Sequence, residues 1–226
     1  IRTRVLELVH AQYAFWNDTL LPELEREGIR FIARDNWTLK QQRWLQGYFQ
    51  NEVLPVLSPL GLDPAHPFPR ILNKSLNFAV SLEGKDAFGR EGHMALVRAP
   101  RSLPRIVRLP EEVAEKPYDF VFFSSILHQF VDELFSGMRV TGAYQFRVTR
   151  NSELFVDEED VENLALALRD ELRGRGFARA ARLEIAESCP KPVADYLMQN
   201  FELGENEVYR CAGPVNVHRI STIYDQ

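Results

Sequence analysis

Tyr144-Gln145-Phe146-Arg147-Val148-Thr149-Arg150 alternates without a break. Successive strand side chains point to opposite faces, so Tyr144, Phe146 and Val148 lie on one side and Gln145, Arg147 and Thr149 on the other. A helix cannot produce that period, and a strand needs partners. Downstream, Arg150-Asn151-Ser152 turns into Glu153–Val156, and an acid-capped helix is predicted from Asp157 to Gly174. There Asp157, Glu158, Glu159 and Asp160 would sit at the positive end of the helix dipole. Residues 179–186 alternate again, Arg182 and Glu184 against Leu183 and Ile185. Pro192 suits the first turn of a helix reaching Phe201. The tail from Val208 reads as short strand or loop with a Gly213-Pro214 turn.

Upstream, Asn77–Leu82, His93–Arg98, Pro104–Leu109 and Tyr118–Phe123 read as strands, the first two separated by a loop over residues 84–92. Ser124 or Ser125 would cap a helix through Phe135, ended by Gly137. Farther back the period is helical. Thr38-Leu39-Lys40-Gln41 fits a capping box ahead of Trp44, Leu45, Tyr48, Phe49 and Val53. Residues 1–26 carry apolar side chains on more than one side of a helix, with Pro22 expected to break or kink it and Gly28 to stop it. The order gives an α+β fold: N-terminal helices followed by a mixed, largely antiparallel sheet with packed helices.

The 226 residues suffice for one large domain or two small ones. With 27 basic against 32 acidic residues and net charge -5, the balance argues against a dedicated nucleic-acid binder but allows a local basic patch. Cys189 and Cys211 are too few for a disulfide framework and are expected as free buried thiols in a reducing cytoplasm. No apolar run approaches the roughly 18 residues that span a bilayer, which leaves at most peripheral membrane association. The sequence starts inside a predicted helix and so reads as a piece of a longer protein.

No catalytic constellation is visible. His10, His66, His93, His128 and His218 lack metal-site spacing, and no phosphate-binding glycine loop or serine nucleophile elbow occurs. His66-Pro67-Phe68-Pro69 is a stiff extended passage, readable as a rigid connector with a buried phenyl ring or as part of a site, with Arg70 and Lys74 close behind. If the Arg147 strand lies near the Arg70–Lys74 segment, then Arg70, Lys74, Arg147 and Arg150 can converge on phosphate oxygens. The competing reading is a cross-strand salt bridge from the arginines to residues such as Glu153 or Asp157.

A set of segments in order carries a resemblance. They are Gln12–Trp16 with Leu21-Pro22-Glu23-Leu24, Val53-Leu54-Pro55 with Pro59, His66–Pro69, and Asn73-Lys74-Ser75-Leu76-Asn77. Val97–Pro100 with Leu103-Pro104-Arg105, Tyr118–Phe122 leading to Asp132–Phe135, Phe146–Asn151 and Gly213–Asn216 complete it. Together they resemble bacterial polyphosphate kinases of the histidine-phosphorylating type. The resemblance implies that residues 1–36 end an N-terminal helical domain and residues 37–226 form a head (middle) domain, without the C-terminal phospholipase D-like catalytic domains. It implies reversible transfer of the terminal phosphate of ATP to polyphosphate through a phosphohistidine, with Mg²⁺. This piece alone would be inactive, holding no catalytic residue, ATP or metal, and His66 would not be the phosphorylated histidine. Its role would be structural: dimerisation and bordering the tunnel. Implied partners are the missing domains, a second copy (dimer or higher) and polyphosphate, in the cytoplasm and without nucleic acid. The alternative is a stand-alone polyanion-binding or protein-interaction module.

Overall fold

The computed structural model describes residues 1–63, 66–85, 93–151 and 179–225. Helix α1 (Arg2–Phe15) runs through a π-helical stretch, Trp16–Leu20, into α2 (Leu21–Arg26). The helix therefore does not break at Pro22. The wider π turn leaves the hydrogen-bond ladder one bond short just where Pro22 has no N–H to give. Gly28, at φ 85, stops it and turns the chain into a strand that the sequence reading missed, β1 (Ile29–Phe31).

The capping box forms as expected. Gln41 N donates to Thr38 Oγ1 at 3.2 Å and Thr38 N to Gln41 Oε1 at 3.0 Å, opening α3 (Leu39–Tyr48). A second short strand, β2 (Pro59–Gly61), follows. Then come β3 (Asn77–Gly84), β4 (Met94–Arg98), β5 (Ile106–Arg108) and β6 (Tyr118–Phe122). Helix α4 (Phe123–Phe130) is shorter than predicted, giving way to a 3₁₀ turn at Val131–Leu134. Its N-cap is Phe122, with no side-chain cap bond, so neither Ser124 nor Ser125 plays the expected part. The chain continues into β7 (Met138–Arg150), β8 (Ala180–Ala186), α5 (Lys191–Phe201) and β9 (Val208–Cys211). The helix predicted over residues 157–174 and the segment Glu153–Val156 lie outside the described residues.

The strands make two sheets, a three-stranded one in the order β1-β6-β5 and a six-stranded one in the order β2-β4-β3-β7-β8-β9. Pairing is antiparallel except for β1 with β6 and β8 with β9. Helices cover both faces of the larger sheet. Phe78, Val80, Ala95 and Val97 pack with Val9, Tyr13, Leu45, Phe49, Phe123 and Leu127 from α1, α3 and the π stretch after it, and α4. On the other face, Ala79, Leu96, Phe146, Val148, Leu183 and Ile185 meet Val193, Leu197 and Phe201 of α5. Within Tyr144–Arg150, Tyr144, Phe146 and Val148 face the layer of α5, while Arg147 on the other face pairs with Glu184.

β7 begins six residues earlier than the alternation suggested, because Gly142 and the register shift at Ser81/Leu82 blur the pattern there. The Tyr144 ring lies over Gly142, where an added Cβ would fall 2.2 Å from Tyr144 Oη.

Candidate functional site: the cationic end of the large sheet

Four chain segments meet at one end of the six-stranded sheet. The register places Asn77, the start of β3, opposite both Arg98 at the end of β4 and Phe146, and it pairs Arg150 with Ala180. Residues 71–75 cross this end and are tied to β7. Lys74 N donates to Val148 O at 2.8 Å, Arg150 N to Asn73 Oδ1 at 2.9 Å, and Arg150 Nε to Ile71 O at 3.1 Å. Arg101 Nη2 reaches Asn73 O at 3.3 Å. Ser75 closes the turn from N and Oγ onto Leu72 O. Phe68 of the proline-rich passage packs edge-on to Phe201 at 5.2 Å, so that passage anchors this segment to α5. His66 is exposed, 3.2 Å from Asp63 Oδ2.

The four sequence-predicted residues divide. Arg70 and Lys74 are exposed at this end. Arg150 lies on the α5 face with its guanidinium 5.9 Å from the Phe201 ring, and burial pushes its pKa down from the usual arginine value. Arg147 points to the opposite face. Its partner is Glu184, directly across on β8, with Nε 3.2 Å from Oε2. That contact is an ion pair without hydrogen-bond alignment, since neither buried atom has an aligned partner. Arg147 Nη1 donates instead to Asn216 Oδ1 at 2.8 Å. Arg182 completes this cluster, donating to Glu184 Oε1 at 3.0 Å and lying 4.0 Å from the Tyr209 ring centre. Tyr13 in α1 donates to Pro214 O at 2.9 Å, fastening the first helix to the Gly213–Asn216 turn. The β7 strand and the 71–75 segment are therefore adjacent, but Arg147 is not brought to the Arg70–Lys74 surface. Glu153 and Asp157 lie outside the described residues.

Sequence reasoning missed Arg98, Arg101, Arg105 and Arg179, which belong to the segments forming this end. A signal for them was present. No Asp or Glu occurs in residues 64–82, 93–110, 143–151 or 179–183, within a chain of net charge -5. Among the described residues, positive charge is concentrated where those acid-free runs meet.

Elsewhere, a cleft of about 580 Å³ is lined by Arg34, Asp35, Ser125, His128, Asp132 and Tyr144, among others. Burial, with Arg34 nearby, pushes His128 down to about 4, so the imidazole is neutral at physiological pH. Cys189 and Cys211 are free and buried, each raised by burial to about 11 and hence unreactive as nucleophiles. Among the described residues no group of three His, Cys, Asp or Glu side chains is placed to hold a metal ion, and no helix is long and apolar enough to cross a membrane.

Residues 40–223 match the family described as the polyphosphate kinase middle domain. A polyphosphate kinase of Xylella fastidiosa (strain Temecula1) is 61% identical over 220 residues, covering 97% of this chain and 32% of the relative. One of Pseudomonas aeruginosa PAO1 is 52% identical over 224 residues, covering 97% of this chain and 32% of its own length. The crystal structure of polyphosphate kinase from Porphyromonas gingivalis aligns over 98% of this chain and 31% of that chain, with a TM-score of 0.78 at 24% identity, a likeness of fold. The chain spans about a third of the length of the curated relatives it matches.

Proposed function

This chain belongs to the polyphosphate kinase family, and we propose that it is the head part of an enzyme moving the terminal phosphate of ATP reversibly onto inorganic polyphosphate. The chemistry runs through a phosphohistidine carried by the rest of the protein. An imidazole nucleophile divides one difficult transfer into two easier ones, and cations stabilise the charge spread over the equatorial phosphoryl oxygens. Mg²⁺ would neutralise phosphate charge during transfer.

This part contributes scaffold and surface. It supports a homo-oligomer, a dimer or higher, in the cytoplasm, and borders the path of the polyphosphate. The observation that supports the last point is the clustering of arginine and lysine, among the described residues, at one end of the large sheet. In this reading Arg70 and Lys74, both exposed there, make direct phosphate contact. Arg150 holds the 71–75 segment in place, and Arg147 holds Asn216. The same surface would serve a stand-alone polyanion-binding module, and catalysis separates the two readings. Full-length protein given labelled ATP, Mg²⁺ and a polyphosphate primer should lengthen the primer, and ADP should reverse the reaction. Binding of polyphosphate with no lengthening in either direction would leave only the binding module.

A further inference from the structure

Three non-glycine residues among those described have positive φ: Lys74 at 56, Glu202 at 55 and Asn216 at 74. Two have ordinary explanations. Glu202 is the left-handed C-cap of α5, and asparagine tolerates this region better than other residues with a Cβ. Lys74 closes no helix, and a lysine there is conformationally disfavoured where glycine would be at ease. The surroundings over-determine the turn. Lys74 N is held by Val148 O, the Asn73 side chain by Arg150 N, and the Asn73 carbonyl by Arg101. Backbone strain maintained by its neighbours, with an exposed charged side chain at its apex, is the observation from which a functional reading starts.

We propose that the Asn73-Lys74-Ser75 turn together with Arg101 is a contact site for a linear chain of phosphates. Lys74 and Arg101 bind its non-bridging oxygens, and Asn73 is the positioning residue that aims them. This rests on the polyphosphate reading above and assigns it specific atoms. The ammonium of Lys74 is exposed with no carboxylate partner among the described residues, and Asn73 O is the one hydrogen-bond partner of Arg101 there. A flexible point charge beside a planar fork suits repeating anionic groups of variable spacing. Asn73 touches both: it precedes Lys74 in the turn and accepts from Arg101.

The test is binding of inorganic polyphosphate by the full-length protein across a salt series, with melting temperature measured in parallel. Lys74→Gly should leave thermal stability unchanged or raised, because glycine accepts the left-handed backbone. It should nonetheless weaken binding about tenfold at low salt, the scale of one charge-assisted contact. The slope of log affinity against log salt should fall by about one. Arg101→Ala should behave alike, Lys74→Arg should retain the slope, and Asn73→Ala should lower affinity with the slope kept. If wild type binds while Lys74→Gly and Arg101→Ala match it in affinity and slope, the turn is structural only and this inference falls, leaving the broader reading intact. If wild type binds no polyphosphate, both fall together.

Discussion

Asp119→Asn should destabilise the protein by about 3 kcal/mol, the low end of the range for breaking a buried ion pair. Asp119 is fully buried, and Arg30, its register partner across β1 and β6, is 19% exposed. Arg30 donates twice to the carboxylate, Nε to Oδ1 and Nη2 to Oδ2, both at 2.7 Å. The backbone N–H groups of Glu115 and Lys116 add bonds to Oδ2 at 2.8 and 3.0 Å. An amide of equal size presents N–H where one of these donors points and removes the charge that Arg30 faces. Arg30 keeps some solvent and its contact with the half-exposed Glu115 at 3.0 Å, which is why the low end applies. At about 2–4 °C per kcal/mol for a chain of this length, the melting temperature should fall by roughly 6–12 °C. Urea and thermal unfolding measure both. The pH dependence carries a second signature. Burial alone would raise the Asp119 pKa, but the bonds from Arg30, Lys116 and Glu115 outweigh it and hold the carboxyl below its ordinary value. An unfolded chain then binds this proton more readily than the folded one. The stabilisation is present above the ordinary carboxyl pKa of about 3.9 and is lost as the pH falls through the lower folded value. The gap between wild type and Asp119→Asn should therefore close in acid. A loss under about 1 kcal/mol at neutral pH, the scale of an exposed pair, would refute the reasoning.

Gly142→Ala should cost about 1–3 kcal/mol, because the new methyl displaces the Tyr144 ring, and most of that cost should vanish in a Tyr144→Ala background. Thr38→Ala removes one half of the capping box and should lower stability by about 1 kcal/mol in urea melts. His128 is held neutral down to about 4, so the unfolded chain binds a proton that the folded one refuses between that value and about 6.5. Wild type should lose stability as pH falls through that window, and His128→Gln should lose less, as chemical denaturation at several pH values will show.

The strand Tyr144–Arg150 was legible because burial on one face imposes a period of two over a long enough run. The α3 capping box was legible because its two hydrogen bonds are local. β1 and β2 were not, since three residues carry no period and both owe their existence to distant partners, β6 and β4. The Ser124/Ser125 cap misled because Phe123, fully buried under the sheet, draws the helix start one residue forward. For the candidate site, proximity in sequence suggested that Arg147 and Arg150 act together. Three residues along a strand instead set them on opposite faces, one against Glu184 and Asn216 and the other beside Phe201. Arg101 was overlooked because a loop after β4 has no periodicity to link it to a turn 28 residues earlier.

If this part is surface and scaffold, as proposed, the phosphorylated histidine lies outside it, and the position of the label decides the matter. Full-length protein should be incubated with γ-labelled ATP and Mg²⁺, digested under alkaline conditions that preserve phosphohistidine, and its labelled peptides mapped. The expected result is acid-labile label on a histidine peptide outside residues 1–226, with none on the peptides bearing His10, His66, His93, His128 or His218. Label on any of those five would contradict it.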